Sequence, residues 1–251
     1  MKHIKQLLKD SWYRRQHKQY VAEGARWIAD ALKNHADKFI ELFVREDSVS
    51  QHQTIIEQFR AKVDSDRVTI IKESVFNSSS DTKNSQGILA VLKMPEYNFC
   101  LTKHNKIILL DGIKDPSNAG TIVRTALAAG FNTVIFDDCI DPYNPKVVRG
   151  SMGAMLDVNI IIASLKDNLQ EFKSKNHTIV GATLNGENPF TNKFTNDKLV
   201  LVIGGEANGI RQDYLPLLDK KITIPMQKIE SLNAAVASGI LMYQLARGTE
   251  Q

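Results

Sequence analysis

Five polar side chains lie where three apolar runs of this sequence turn into a helix or a loop. Asn118 and Arg124 follow the run 107–110, Glu206 follows 199–203, and Ser231 and Asn233 follow 220–224. Each turn joins a residue that permits unusual backbone geometry to a polar group that can contact a ligand. Open α/β sheets bind ligands at the carboxyl ends of their strands, so the pattern predicts one ligand site at one sheet edge.

Each of these residues also has a purely structural interpretation. Asn118 and Ser231 are good helix N-caps, and Arg124 could lie on the exposed face of its helix. Gly204 and Gly205 could serve only a tight turn. The occurrence of three such turns at one edge, with none comparable at the opposite edge, favours a ligand site.

Several common catalytic motifs are absent from the sequence. It has no G-x-x-x-x-G-K-[ST] phosphate loop and no G-x-S-x-G elbow, and the first turn reads Asn118-Ala-Gly120 in place of a G-x-G-x-x-G fingerprint. Histidines and cysteines show no metal-ligand spacing, so no metal is expected. A serine nucleophile would need a histidine near Ser231, but His177 begins a predicted central strand, which is more often a packing position.

The elements that position these turns form a regular strand–helix series from residue 106 onward. Apolar runs predict buried strands at 107–110, 133–136, 158–163, 178–182, 199–203 and 220–224. Helical spacing predicts helices at 118–129, 145–155, 165–174, 212–218 and 232–247. This alternation is typical of a doubly wound α/β domain with a parallel sheet.

The front of the chain predicts a second, smaller α/β domain over residues 1–95. Strands are expected at 20–24, 39–44, 68–71 and 87–92, helices at 1–20, 25–34 and 54–61, and turns across 74–86. Residues 96–106 lack periodicity and predict a linker. The second domain is then 107–251.

Composition indicates a globular cytoplasmic protein without a membrane span. The 251 residues are 43% hydrophobic, no apolar run is long enough to cross a bilayer, and the N-terminus lacks the apolar core of a signal peptide. Cys100 and Cys139 form no disulfide pattern, so free thiols are expected.

Charge is unevenly distributed along the chain. Residues 1–106 hold 18 Lys and Arg against 13 Asp and Glu, whereas residues 107–251 hold 14 against 15. A basic front half is typical either of an anionic partner or of solvated helix faces, and charge alone favours neither.

The three turns also carry a family resemblance. The segments DPSNAGTIVRTALAAG, VIGGEANGI and IPMQKIESLNAAVASGILMYQLAR follow one another within residues 107–247. They resemble the ordered motifs of the SpoU (TrmH) family, which are RNA ribose 2′-O-methyltransferases of the SPOUT class. Through Tyr20-Val-Ala-Glu-Gly24 and Gln86-Gly-Ile-Leu-Ala-Val91, the front domain resembles the small ribosomal-protein-like RNA-binding domain often fused to this family.

The resemblance implies a particular fold, donor and assembly. It implies a SPOUT-type α/β domain whose segment after Leu199 threads into a deep C-terminal trefoil knot, preceded by a small α/β RNA-binding domain. S-adenosylmethionine is the implied methyl donor, and a homodimer with sites at the subunit interface is the implied assembly. The apolar helix predicted at 232–247 fits packing on a partner, or equally burial within one chain.

The resemblance also assigns roles to the polar side chains. Arg124 is the implied central catalytic residue, which manages the proton of the 2′-hydroxyl or, since a guanidinium stays charged, holds phosphate and alkoxide. Asn118 orients Arg124 and the substrate backbone, and Glu206 pairs with Arg124 or holds the first turn. Ser231 and Asn233 line the active centre. Backbone groups of nine residues are expected to hold the donor: Thr183, Leu184, Asn185, Gly186, Gly204, Gly205, Ile224, Met226 and Leu232.

An RNA substrate follows from the resemblance, since the acceptor is a ribose 2′-hydroxyl, which DNA lacks. We favour rRNA over tRNA because the front domain resembles ribosome-type RNA binders. Two other function classes stay open: an RNA-binding or ribosome-assembly factor with a silent site, and a Rossmann-type oxidoreductase, which the missing phosphate-binding glycines disfavour.

Overall fold

The chain divides into two units, each built of helices around a β-sheet. The computed structural model describes residues 1–80, 85–95, 105–191 and 197–246. The first unit comprises the described part of Met1–Glu96 together with Tyr143–Leu156, and the second comprises the described parts of Tyr97–Pro142 and Asp157–Gln251. Most of the linker predicted at 96–106 lies outside the described residues, so the linker stays a prediction.

A four-stranded sheet is the centre of the first unit. Its strands are β1 (Gln19–Glu23), β2 (Phe39–Arg45), β3 (Val68–Ile71) and β4 (Ile88–Lys93), in the order β1-β4-β2-β3. Strand β4 runs antiparallel to β1 and β2, and β3 runs parallel to β2. The continuous apolar run of β4 is buried from Ile88 to Leu92, as expected for a central strand.

The helices of the first unit differ from the sequence prediction at two places. They are α1 (Lys2–Lys9), α2 (Ser11–His17), α3 (Ala25–Asn34), α4 (Gln53–Lys62) and α5 (Glu73–Asn77). The single helix predicted over 1–20 is wrong, because Asp10 is extended and its carboxylate accepts from the N–H groups of Trp12 and Tyr13. Helix α5 lies in a stretch predicted as turn, where burial of Phe76 outweighs local composition.

The second unit is built on a six-stranded parallel sheet. Its strands are β5 (Lys106–Asp111), β6 (Thr133–Asp137), β7 (Asn159–Ile162), β8 (Thr178–Glu187), β9 (Leu199–Gly204) and β10 (Lys220–Ile222). Their order is β10-β8-β9-β5-β6-β7, and every pairing is parallel. This confirms the predicted parallel α/β domain. The order in which strands are added reverses between β5 and β9, and sheets of this kind bind ligands at the carboxyl ends of their strands beside such a point.

Helices α6 (Pro116–Ala128), α7 (Pro145–Gly150), α8 (Leu165–Ser174) and α9 (Ala234–Ala246) complete the described fold. Helix α7 belongs to the first unit, where Tyr143 packs 5.0 Å from the ring of Tyr20. It ends earlier than predicted because Met152 and Gly153 take left-handed backbone conformations.

The helix predicted at 212–218 is wrong. That segment holds only a 3₁₀ turn over Leu215–Leu217, since Pro216 lacks the N–H that an α-helix needs. Helix α9 begins after Asn233 rather than at Leu232, and Arg247 lies outside the described residues.

Candidate active site

The first turn of the site is fixed by a cap on α6. Asp115, not Asn118, is the N-cap, because its carboxylate accepts from the backbone N–H of Asn118 at 2.8 Å. Pro116 follows at the first helical position, which its fixed backbone angle suits. The capping interpretation of Asn118 is therefore wrong, and its side-chain amide is available for other contacts.

A chain of side-chain hydrogen bonds joins all three predicted turns. Asn118 Nδ2 donates to Glu206 Oε1, and Asn118 Oδ1 accepts from Asn233 Nδ2 at 2.9 Å. Asn233 Oδ1 in turn accepts from the backbone N–H groups of Ala235 at 2.9 Å and Val236 at 3.2 Å. Asn233, not Ser231, thus caps α9. The three turns therefore meet at one edge of the sheet, as the sequence predicted.

The second turn is a tight loop that only glycine fits. Gly205 donates to the backbone oxygen of Asp111 at 2.8 Å, which ties the end of β9 to the end of β5. A Cβ on Gly205 would lie 2.6 Å from the backbone oxygen of Gly112, and one on Gly204 would overlap the backbone of Gly209. The glycines at this turn therefore permit close packing of backbone on backbone.

A cavity of about 810 Å³ lies beside the hydrogen-bonded chain. Of the nine residues expected to hold the donor, all except Gly186 line this cavity, as do Glu206, Ser231 and Asn233. A Cβ on Gly186 would lie 2.6 Å from the backbone of Lys221, so this glycine allows β8 and β10 to approach each other. Residues 183–186 belong to strand β8, which runs further than the predicted 178–182.

Arg124 stands apart from the group. It lies six positions beyond Asn118 on α6, about 9 Å along the helix axis at 1.5 Å per residue. Its side chain is exposed, and in the part of the chain that the structure describes it makes no ion pair or hydrogen bond to Asn118 or Glu206. The structure brings Asn118, Glu206 and Asn233 into one chain of hydrogen bonds, and Arg124 is not part of that chain.

An ionic cluster under the second turn, in which the half-exposed Arg211 meets two buried carboxylates, was not anticipated from the sequence. Arg211 Nε lies 2.6 Å from Asp111 Oδ1, and Arg211 Nη2 lies 2.7 Å from Asp137 Oδ1. The backbone N–H of Arg211 donates to Asp111 Oδ2 at 2.8 Å, and Tyr214 donates its hydroxyl to Asp137 Oδ2 at 2.5 Å. These contacts hold the chain after β9 against the carboxyl ends of β5 and β6.

Burial and the pairing with Arg211 shift the pKa of Asp111 in opposite directions. Desolvation raises the pKa of Asp111, against the charge and hydrogen bond of Arg211. Two carboxylates raise the pKa of Arg211, which stays charged. The sequence does contain one signal for this cluster, because Asp111 and Asp137 each follow a buried apolar run. In the structure the two residues end neighbouring strands and face each other in register.

Further features of the described residues bear on function. Cys139 is a free thiol whose pKa burial raises to about 11, so it is protonated at neutral pH. Among the described residues, no cluster of three or more His, Cys, Asp or Glu has the arrangement of a metal site, and no helix is long and apolar enough to cross a membrane. His177 is buried with Nδ1 3.3 Å from the backbone oxygen of Phe172, a packing position.

The fold and the site together define an α/β domain with a ligand cavity at the carboxyl-terminal parts of strands β8, β9 and β10 of a parallel sheet. The model of the SpoU rRNA Methylase family matches residues 105–243, and that of the MRM3-like substrate binding domain matches residues 1–90. The chain belongs to the SpoU rRNA methylase family, as the three motifs predicted.

Named relatives resemble the chain over most of its length. It is 28% identical to the 23S rRNA (guanosine(2553)-2'-O)-methyltransferase RlmP of Bacillus subtilis, across 90% of this chain and 88% of that protein. A crystal structure of an RNA 2'-O ribose methyltransferase is 26% identical, with a TM-score of 0.81 over 98% of this chain and 95% of that one. An AdoMet-bound rRNA methyltransferase of Sinorhizobium meliloti has a TM-score of 0.84 over 100% and 95% of the two chains, and its 24% identity shows the fold alone.

Proposed function

We propose that this chain transfers a methyl group from S-adenosylmethionine to a ribose 2′-hydroxyl of rRNA. The observation that carries the proposal is the hydrogen-bonded chain of Asn118, Glu206 and Asn233 beside the cavity. These residues stand on the three segments that resemble the family motifs, and family membership supplies the reaction class. The relative RlmP, similar over nine tenths of the chain, favours rRNA over tRNA.

The cavity suits the proposed donor in size and lining. About 810 Å³ is within the range of roughly 300–1,000 Å³ typical of small-molecule sites. Leu232, Met226 and Ile224 offer apolar contact for an adenine ring, and the carboxylates of Glu206 and Glu230 favour a positively charged ligand group. Bound there, S-adenosylmethionine supplies an electrophilic sulfonium methyl group.

The side chains of the motifs act on the acceptor ribose. A 2′-hydroxyl is a poor nucleophile at neutral pH, so it must be aligned and its proton must be removed. Asn118, held at both ends of its amide, fixes the first turn and orients the ribose. Arg124 holds the neighbouring phosphate and stabilises charge that develops on the 2′-oxygen, since a guanidinium remains protonated. The methyl group passes from sulfur to the 2′-oxygen, and the hydroxyl proton is released to solvent.

Arg124 fits a site completed by a second copy of the chain. It is exposed on α6, the helix that packs on α9. Helix α9 buries six residues within its own unit, yet leaves Val236 52% and Tyr243 49% exposed. Two exposed apolar residues seven positions apart share one helix face, which supports a homodimer that covers this face.

The same chain path supports the proposed trefoil knot. After β9, Arg211 reaches the ends of β5 and β6, and the chain then enters β10 at the sheet edge beside β8. Helix α9 returns to contact α6 and β9. Threading of the segment after Leu199 is consistent with this crossing of the sheet edge.

Transfer of labelled methyl groups tests the proposal. The full chain is incubated with labelled S-adenosylmethionine and either total rRNA or total tRNA, and the RNA is digested to nucleosides. The expected result is label in a 2′-O-methylated nucleoside from rRNA. Label that is absent from RNA although the RNA binds would instead indicate the catalytically silent factor.

A further inference from the structure

Helices α1 and α2 present a surface that the site above does not use. We name it the α1–α2 surface and define it by Lys2, Lys5, Lys9, Trp12 and Arg15. Ile4 and Leu7 of α1 are fully buried in a core with Val21 and Leu89 of the sheet, and Tyr13 of α2 packs against the same core. Both helices therefore cover one face of the sheet, and their other sides point to solvent.

Trp12 is the most exposed aromatic ring among the described residues of the first unit. It is 62% exposed, although a large apolar side chain is normally buried where it can be. Its backbone is held at the start of α2, because its N–H donates to the Asp10 carboxylate at 2.8 Å. A large apolar ring therefore stands in solvent on the first turn of a capped helix.

The four cations of the α1–α2 surface have no acidic partner among the described residues. Among the described residues, no Asp or Glu side chain forms an ion pair with Lys2, Lys5, Lys9 or Arg15, and the nearby carboxylate of Asp10 is engaged by backbone N–H groups. Elsewhere in the same unit, Lys33, Lys38 and Arg45 each pair with an aspartate. The α1–α2 surface is a concentration of unneutralised positive charge.

We propose that the α1–α2 surface binds unpaired nucleotides of the RNA substrate, with Trp12 stacking on a base and the cations holding adjacent phosphates. Single-stranded nucleic acid is bound by aromatic rings set in positively charged grooves, because every base has a π-face and every linkage a charge. The inference rests on the proposed function for its identification of RNA as the ligand.

Binding of rRNA by full-length variants tests the inference. Trp12→Ala is expected to weaken binding about 5- to 100-fold, and Trp12→Phe to retain most of it, since loss of one stacked base has that effect. Lys5→Gln and Lys9→Gln are each expected to reduce the slope of log affinity against log salt by about one. Ile70→Ala, which truncates an exposed apolar residue on β3, is the control and should bind normally.

The outcomes separate this inference from the proposed function. If the wild type methylates rRNA and Trp12→Ala binds rRNA with unchanged affinity and an unchanged KM, the inference is overturned while the function stands. If the wild type methylates no RNA but Trp12→Ala still loses RNA affinity, the function fails and the surface stands. If Trp12→Ala changes only the sedimentation of the protein, the surface is a protein contact and the inference is overturned.

Discussion

The side-chain amide of Asn118 donates to the carboxylate of Glu206 across 88 positions of sequence. The same amide accepts from Asn233, so one residue of α6 fixes the turn after β9 and the start of α9. Three loops that would otherwise move independently are thereby held in one arrangement beside the cavity.

Replacing Asn118 with aspartate tests that arrangement. The new carboxylate would face Glu206 with like charge and no donor, so we expect kcat/KM for methyl transfer to fall about 10- to 100-fold, the equivalent of a lost charged hydrogen bond of ~1.5–3 kcal/mol. Asn118→Ala, which removes the contact without repulsion, should lose less. Equal kcat/KM for Asn118→Asp and the wild type would contradict the proposed role.

Arg211→Met should destabilise the second unit by about 3–5 kcal/mol, because it leaves two buried carboxylates without their cation. The expected signature is a lower midpoint in denaturant unfolding. Lys166→Met is the matched control, since it removes an ion pair with Asp213 whose side chains are both about half exposed, and should cost less than about 1 kcal/mol.

The same variant should show a characteristic pH dependence. Burial raises the pKa of Asp111, and loss of Arg211 removes an opposing effect. The folded state then holds the Asp111 proton more tightly than the unfolded state, so stability is greatest below the unfolded pKa and falls as pH rises through the raised folded pKa. The free energy of unfolding that Arg211→Met loses relative to the wild type should therefore be larger at pH 8 than at pH 5. A loss that does not depend on pH would contradict this account.

Gly205→Ala should lower both thermal stability and donor affinity, because its Cβ would lie 2.6 Å from the backbone oxygen of Gly112. The same substitution at the neighbouring glycine is the control: a Cβ on Gly112 meets nothing within 4 Å, so Gly112→Ala bears only the left-handed strain of about 1–2 kcal/mol. Differential scanning calorimetry and titration calorimetry with S-adenosylmethionine measure the two effects. Equal thermal stability of Gly205→Ala and Gly112→Ala would contradict the close packing inferred at Gly205.

Cys139 should react slowly with iodoacetamide in the folded protein. Its pKa of about 11 leaves little thiolate at pH 7.5, and its Sγ contacts the backbone of Ile113, Leu110 and Asp137. Alkylation of a Cys100→Ser protein, followed by mass spectrometry, isolates this thiol. Rapid labelling without denaturant, at the rate seen in urea, would show that the site is open.

Strands and motif turns were predictable because their signals are local. The apolar run 107–110 and the glycines after 203 mark a buried strand and a turn whatever the rest of the chain does. The coincidence of Asn118, Glu206 and Asn233 at one edge followed from parallel strand order. The order of the strands within the sheet could not be predicted from the spacing of residues along the sequence.

Other features depended on contacts between distant residues. Arg211 lies 100 positions from Asp111, and nothing local distinguishes it from a surface arginine. The helix around Phe76 follows from burial of that side chain in the core. Such competition between local preference and tertiary contact is not visible in periodicity.

Mapping of 2′-O-methylation in cellular rRNA tests the central claim most directly. RNA is compared from cells that carry the gene, cells that lack it, and deletion cells that express wild-type or Arg124→Ala protein. The account predicts that one ribose methylation disappears on deletion, returns with the wild type, and stays absent with Arg124→Ala although that variant binds S-adenosylmethionine normally. Identical rRNA methylation maps with and without the gene would contradict it.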